Sequence, residues 1–353
     1  MNVQPPEFAV SVIILNWNAA RWIPRCLASL REQTIFPKIE VIFADNASSD
    51  DSEKVARECM AGWSNGYFLQ NGGNFGYGGG SNRGAAAAKG KYLFFLNTDI
   101  WLEPDCLEEI VKHAEENKSK ISCPLVMDFD SNNIQTRGEA GFDIFGCLVS
   151  PRADEKLDQP FTVATFFFID RKFFQKIGRF DEESFLYNEE MDLSWRAWIA
   201  GGVITPARSA IMHHFAPSTG DNTSQIRTSE SKRFYTNRSQ LLTTLKSAQG
   251  LLLLIALTQI ALFFVEAIVV AFSIRRLSFI NAAFTRPVKD CWQLRRHIFA
   301  ERRRIRGFRQ RGDLWILCRF FRFGLGRWGD VKRFFKGNIQ VDPIKRKQPK
   351  AAN

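Results

Sequence analysis

The sequence predicts an α/β domain with a largely parallel sheet, because strand-like and helix-like segments alternate four times before residue 120. A second observation points the same way: three of the strand-like runs end in Asn or Asp. In open parallel sheets, ligands bind beyond the carboxyl ends of the strands.

The elements follow in order. Residues 10–15 (VSVIIL) are a β-branched run stopped by Asn16-Trp17-Asn18, a buried strand entering a loop. Residues 21–33 carry apolar side chains at helical spacing, and residues 39–44 (IEVIFA) form a second strand ended by Asp45-Asn46. A helix over 52–63 and a short strand over 67–69 follow. A Gly/Asn-rich loop (71–80) leads to a small-residue helix (81–89), a strand (92–96) and a helix over 104–117 with Pro104 in its first turn. Residues 138–159 read as loop, 163–169 as strand and 189–200 as helix.

The chain has 353 residues, 45% of them hydrophobic, enough for a sizeable core. Its charge is lopsided. Residues 273–353 hold 22 Lys and Arg against 5 acidic residues, so the remainder of this +11 chain is net negative. Such asymmetry points to an anionic partner, nucleic acid or acidic lipid. The seven cysteines include no C-x-x-C pair, which excludes a zinc ribbon or disulfide framework and fits a reducing compartment. No basic region followed by an apolar one marks the N-terminus for export, so the body of the chain is expected in the cytosol.

Four segments carry potential chemistry. Asn97 and Asp99 stand at the end of a strand, where a carboxylate can hold Mg²⁺ or Mn²⁺ or simply cap a turn. Residues 71–84 read NGGNFGYGGGSNRG. Their glycines would admit a phosphate to the backbone, yet Arg83 and Ser81 break the dinucleotide fingerprint and no G-K-[ST] follows. Glu189, Glu190 and Asp192 crowd three carboxylates before Arg196, which raises their pKa values and suits a general base, although a solvated helix face can carry the same run. His213-His214 could supply an imidazole ligand.

Together these pieces resemble the family 2 glycosyltransferases of the GT-A fold, and within them the bacterial rhamnosyltransferase-like branch. The matching elements are VSVIILNWN (10–18), ADNASSD (44–50), NGGNFGYGGGSNRG (71–84), FFLNTD (94–99), FLYNEEMDLSWRAWIAGG (185–202) and HHFAPS (213–218), in the expected order. The resemblance implies that Asp45 accepts the N3–H of a uracil or thymine with Asn16 beside it. Asn74, Gly76 and Asn82 of the Gly-rich segment, together with Asn97, would enclose the nucleotide. Asp99 matches the last metal-binding Asp of D-x-D, and His213 matches a histidine completing the metal or diphosphate site. Glu190 takes the place of the base, with Glu189 as fallback, since the family more often has Asp there; Asp192 and Arg196 would serve acceptor positioning. The implied reaction is inverting transfer from a UDP- or dTDP-sugar, possibly dTDP-rhamnose, to a glycan or lipid-linked hydroxyl. A sugar nucleotidyltransferase or a membrane-tethered binding module without activity would share parts of this pattern.

Residues 251–272 are apolar except for Thr258, Gln259 and Glu266, and as a helix would measure about 33 Å, enough for a bilayer core of about 30 Å. A single span would put the basic tail opposite the body. We therefore expect an interfacial or re-entrant segment at the cytoplasmic membrane face, with anionic lipid rather than nucleic acid as partner. The expected division is a catalytic domain over 1–240, a helical membrane-association region over 241–340 and a disordered tail over 341–353. Deleting 251–353 is then expected to leave a soluble, nucleotide-binding domain.

Overall fold

The computed structural model describes residues 8–129, 133–152, 155–163, 166–215, 226–273, 276–323 and 339–341. The basic segments 324–338 and 342–353, and residues 216–218 of HHFAPS, lie outside them.

Strands β1 (Val10–Asn16), β2 (Ile39–Asp45), β3 (Gly66–Gln70) and β4 (Tyr92–Asn97) pair in parallel in the order β3-β2-β1-β4. Beyond β4, the sheet continues through β6 (Ile121–Asp128) and β11 (Ile204–His214), which pair in parallel, with β5 (Ile100–Leu102) antiparallel on the β11 edge and β7 (Ile134–Thr136) antiparallel to β6. A hairpin of β8 (Gly141–Phe142) and β9 (Leu148–Val149) stands apart. Strand β10 (Phe168–Asp170) runs antiparallel between β4 and β6, so the mostly parallel sheet includes short antiparallel members. It is also the short remnant of the strand expected over 163–169, part of which lies outside the described residues.

The period-two alternation of β1, β2 and β4 supplies two cores. Val12, Ile14, Val41, Phe43, Phe94 and Leu96 pack one way, beneath α1 (Ile23–Arg31), α2 (Ser52–Cys59) and α4 (Cys106–Asn117). Ile13, Ile42, Leu93 and Phe95 face the other way, toward α3 (Gly76–Ala87), α5 (Arg171–Lys176) and α6 (Glu189–Ile199). Of the Gly-rich segment expected as a loop over 71–80, residues 76–80 are the opening of α3. A Cβ on Gly80 would meet Leu15 and Asn46 at 2.5 Å, and one on Gly84 would meet Ile13 at 2.6 Å. Four residues apart on one face, these glycines let the helix lie directly on β1 and β2.

The C-terminal half is helical: α7 (Glu230–Ser247), α8 (Leu254–Ser273), α9 (Leu277–Ile280), α10 (Arg286–Gln293), α11 (Arg295–Phe308) and α12 (Asp313–Phe320), with a last short pair of β12 (Ile226–Thr228) and β13 (Ile339–Val341). The boundary expected at 240 falls inside α7. Leu252, Ile255, Ile305, Ile316 and Phe320 join the core that holds Ile13, Phe95 and Trp195, so one core crosses that boundary.

The arginines of α11 and its exit make a second departure. Arg302 donates to the carbonyls of Leu245 and Ala248, Arg304 to Ile177 and Arg309 to Ser247, while Arg311 donates to Gly202. These carbonyls end α7, α5 and α6, where orphan acceptors and the negative end of the helix dipole favour cations. These four arginines therefore serve internal capping rather than a lipid-facing patch.

Removing 251–353 is accordingly expected to leave no folded domain, because it strips one side of the shared core. Phe320→Ala in the full chain should cost about 3–5 kcal/mol, as aromatic truncations in cores do. Chemical denaturation of the full chain tests the second expectation. Circular dichroism of the truncated chain tests the first, and a native-like spectrum there would mean the core closes without these helices.

Candidate active site at the carboxyl ends of the strands

Asn16 and Asp45 face each other across the β1–β2 register at the strand ends, and both are buried. Asn16 Nδ2 donates to Asp45 Oδ1 at 2.7 Å. Ser48, on the turn after β2, gives its hydroxyl to the same oxygen and its N–H to Oδ2, and Gln70 Nε2 adds a bond to Oδ2 at 3.1 Å. Four donors fill a carboxylate's acceptor capacity. A pyrimidine edge can reach Asp45 only by displacing one of them. Asn16 Oδ1, buried and without a hydrogen-bond partner, is the open acceptor of this pair.

The Gly-rich segment divides. Asn74 Oδ1 accepts from Gly76 N at 3.0 Å, fixing the entry to α3, where Gly76 has φ +70°. Tyr77 N donates to Phe185 O, and a side chain on Gly76 would collide with that same carbonyl. Asn82 is not placed to bind a ligand. Its amide donates to Phe180 O and Glu182 and accepts from Phe180 N, stapling α3 to the 180–182 turn. Asn97 ends β4 opposite Leu15.

Asp99 follows at the β4–β5 turn, half-buried, with Oδ1 enclosed and lacking a hydrogen-bond partner. Its neighbour is His214, whose Nε2 lies 3.6 Å from Asp99 Oδ2 while Nδ1 meets Gln135 Oε1 at 2.7 Å. His213 is not the adjacent imidazole. On a strand, consecutive side chains point to opposite faces. His213 therefore stacks on Trp101 (centroids 3.8 Å apart) and spends both nitrogens on Glu103 and Asp128 O. An orphaned carboxylate oxygen beside an imidazole suits a divalent cation that takes its other ligands from water and phosphate. Among the described residues, no three His, Cys, Asp or Glu side chains form a complete metal cage.

The carboxylates of α6 form the third group. Burial, then its neighbours Glu190 and Asp192, push Glu189 up to about 8. Burial pushes Glu190 up to about 7, with Glu139 adding to the effect. Glu139 was not evident in the sequence. Its backbone bridges Thr162, and Thr162 Oγ1 in turn donates to Glu190 O at 2.9 Å. Glu189 Oε1 and Glu139 Oε2 are buried without hydrogen-bond partners. Asp192 and Arg196 stand apart from any acceptor. Both are fully buried and paired through Arg196 Nε and Nη2, with Lys246 Nζ 2.8 Å from Asp192 Oδ1. Burial alone would raise the Asp192 carboxyl, but Arg196 and Lys246 hold it below the ordinary range.

The family described as Glycosyl transferase family 2 matches residues 11–178. EpsH, a Bacillus subtilis (strain 168) protein named as a glycosyltransferase, is 33% identical over 122 residues, 35% of each chain. The chondroitin synthase of Escherichia coli is 35% identical over 107 residues, 29% of this chain and 15% of that one. The chain thus spans about a third or less of the length of these relatives. Among solved structures, S. aureus TarS 1–349 in complex with UDP superposes with a TM-score of 0.53 at 16% identity, covering 90% of this chain and 94% of that one. GalNAc-T7 with UDP, GalNAc and Mn²⁺ gives 0.54 at 18% identity, covering 69% and 48%. These likenesses establish a GT-A-like fold.

The raised carboxyls also predict how stability varies with pH. A carboxyl whose native pKa exceeds its unfolded value of 4.5 binds protons on folding, so its stabilisation is complete below that value and is lost as pH rises through about 8. Glu189→Gln should flatten the decline in stability between about pH 4.5 and 8. Urea denaturation at intervals of one pH unit checks this, and parallel curves for variant and native chain would contradict it.

Proposed function

We propose, from the match of residues 11–178 to Glycosyl transferase family 2, an inverting transferase that moves a sugar from a UDP- or dTDP-sugar to a hydroxyl of a glycan or lipid-linked acceptor. The observation that carries this reading is a pair of half-sites. A buried Asn16–Asp45 pair and an orphaned Asp99 oxygen line the strand ends, and beyond them buried carboxylates are poised near neutrality.

In this reading, Asn16 Oδ1 and Asp45 take the pyrimidine edge, with the Gln70 amide giving way to it. Asp99 and His214 would hold Mg²⁺ or Mn²⁺, which when bound supplies positive charge against the diphosphate leaving group. Glu190 removes the acceptor proton as its oxygen attacks the anomeric carbon on the face opposite the leaving group. A base near 7 is half ionised at neutral pH, and such general-base help contributes about 10²–10⁴-fold. Glu189, held more strongly protonated, keeps a second charge off the site.

Glu190→Gln should keep UDP affinity and lose about 10²-fold or more in nucleoside diphosphate release from a panel of UDP- and dTDP-sugars. Glu189→Gln should lose less, and Asp99→Ala should lose metal-dependent turnover while staying folded. A dead Glu189→Gln beside an active Glu190→Gln would exchange the two roles, and a fully active Asp99→Ala would remove it as the metal ligand.

We further propose that α8 lies in the surface of an anionic membrane at the cytoplasmic face. Leu257, Phe264 and Phe272 are 63, 69 and 79% exposed along one side, while Gln259 and Glu266 are turned into the protein. Gln259 donates to Thr244. A helix that buries its polar side in protein and bares its apolar side suits an in-plane position better than a span. The protein should float with phosphatidylglycerol vesicles and be loosened but not released by high salt, because apolar burial is not screened. Quantitative release by salt would leave α8 without a membrane role.

A further inference from the structure

The segment leading into α6 violates local backbone preference three times in four residues. Phe185, Tyr187 and Asn188 have φ of 61, 66 and 63°, left-handed values that cost a non-glycine residue about 1–3 kcal/mol each. Such strain persists only when the surroundings over-determine it, and here the surroundings are α7. Arg238 Nη1 donates to Glu183 O and Ser184 O, and Ser239 Oγ donates to Ser184 O and Leu186 O. Asn188 stands at the N-cap of α6 in a left-handed conformation and makes no capping bond, while its Nδ2 donates to Thr236 O.

Two turns farther along α7, Lys246 is fully buried between two carboxylates. Its Nζ meets Asp181 Oδ2, on the turn that opens the strained segment, and Asp192 Oδ1, in the first turn of α6. His297 Nε2 completes the group at 3.0 Å from Asp181. A single ammonium thus ties together both ends of the stretch that carries Glu189 and Glu190.

We propose that α7 is the positioning element of the acceptor side of the site and that Lys246 is its central positioning residue; this rests on the reading of Glu190 as base. The base helix is then set by a segment outside the 11–178 match. Burying an ammonium is costly unless it is paired, and two differently placed carboxylates on one ammonium fix an orientation that an apolar contact would leave free. A misplacement of about 1 Å can cost 10²-fold in rate.

The test uses the full chain. Lys246→Met/Asp181→Asn removes one buried charge of each sign and leaves Asp192 paired with Arg196. UDP affinity by calorimetry should stay within about twofold, because Asn16 and Asp45 are untouched. The kcat for nucleoside diphosphate release should fall at least tenfold, and amide exchange over 183–192 should quicken while 10–16 and 92–97 stay protected. Lys246→Arg should recover part of the rate. Ser239→Ala, which alters no charge, decides the matter if the double variant does not fold. A folded variant with unchanged kcat and unchanged exchange over 183–192 would overturn the proposal. If Glu190→Gln keeps full turnover while these variants lose theirs, α7 still positions the segment but the base is another residue.

Discussion

Parallel strands must be covered on both faces, and this requirement organises the rest of the molecule. Once β1, β2 and β4 are buried above and below, their polar residues are confined to positions near the strand termini, Ser11 and Glu40 pairing with each other near the amino ends. Asn16, Asp45 and Asn97 occur at the carboxyl ends. The same constraint explains α3. A helix that must cover β1 and β2 while leaving their ends open has to approach closely, and Gly80 and Gly84 permit the approach. The glycines that look like a phosphate cradle are therefore first a packing device, and only the entry at Asn74 and Gly76 belongs to the mouth of the site.

Burial also creates the chemistry. Glu189 and Glu190 sit on a helix N-terminus, whose dipole favours negative charge by roughly a kcal/mol or less. Desolvation outweighs it, with Glu190 and Asp192 adding repulsion at Glu189 and Glu139 adding it at Glu190, so both are held partly protonated near neutrality. Asp192, two positions on, goes the opposite way because Arg196 and Lys246 pair with it. Neighbouring carboxylates in one helical turn thus do different work according to their partners. Asp45 shows a third outcome, a buried carboxylate whose charge is met by neutral donors from Asn16, Ser48 and Gln70.

The strands and the carboxylate cluster were legible in the sequence because they rest on local pattern: β-branched runs, polar stops and a short acidic motif. Pattern could not say which of two adjacent histidines faces Asp99. That follows from the phase of β11 against β5, which places His213 on Trp101 and His214 opposite Ile100. Glu139 reaches Glu190 through an isolated bridge to Thr162, a long-range pairing with no local mark. Helix α7 was not read as an element, and only its end, 241–247, fell within a region expected to be helical. Its interior side is largely polar, with Arg238, Ser239, Gln240, Thr243, Thr244 and Lys246 all buried. Apolar periodicity is blind to a helix that buries hydrogen-bonding groups. The one available signal was Ser229, which caps the helix by accepting from Lys232 N.

Charge composition overstates the cations that face solvent for a related reason. A cation excess predicts an anionic partner only if the cations reach solvent, and Arg302, Arg304, Arg309 and Arg311 are spent on helix carbonyls inside the fold. Those carbonyls belong to α5, α6 and α7, the helices around the base segment. The arginines of α11 thus secure α7, α7 secures the strained entry to α6, and α6 carries the carboxylates. The hydrogen bonds behind the first two links join residues about 50 positions apart, 54 for Arg302 to Ala248 and 48 for Asn188 to Thr236, beyond the reach of any local motif. The segment bearing the α6 carboxylates is held by a C-terminal region that local sequence signals assign to the surface, because its polar groups find their partners within the protein instead of in water.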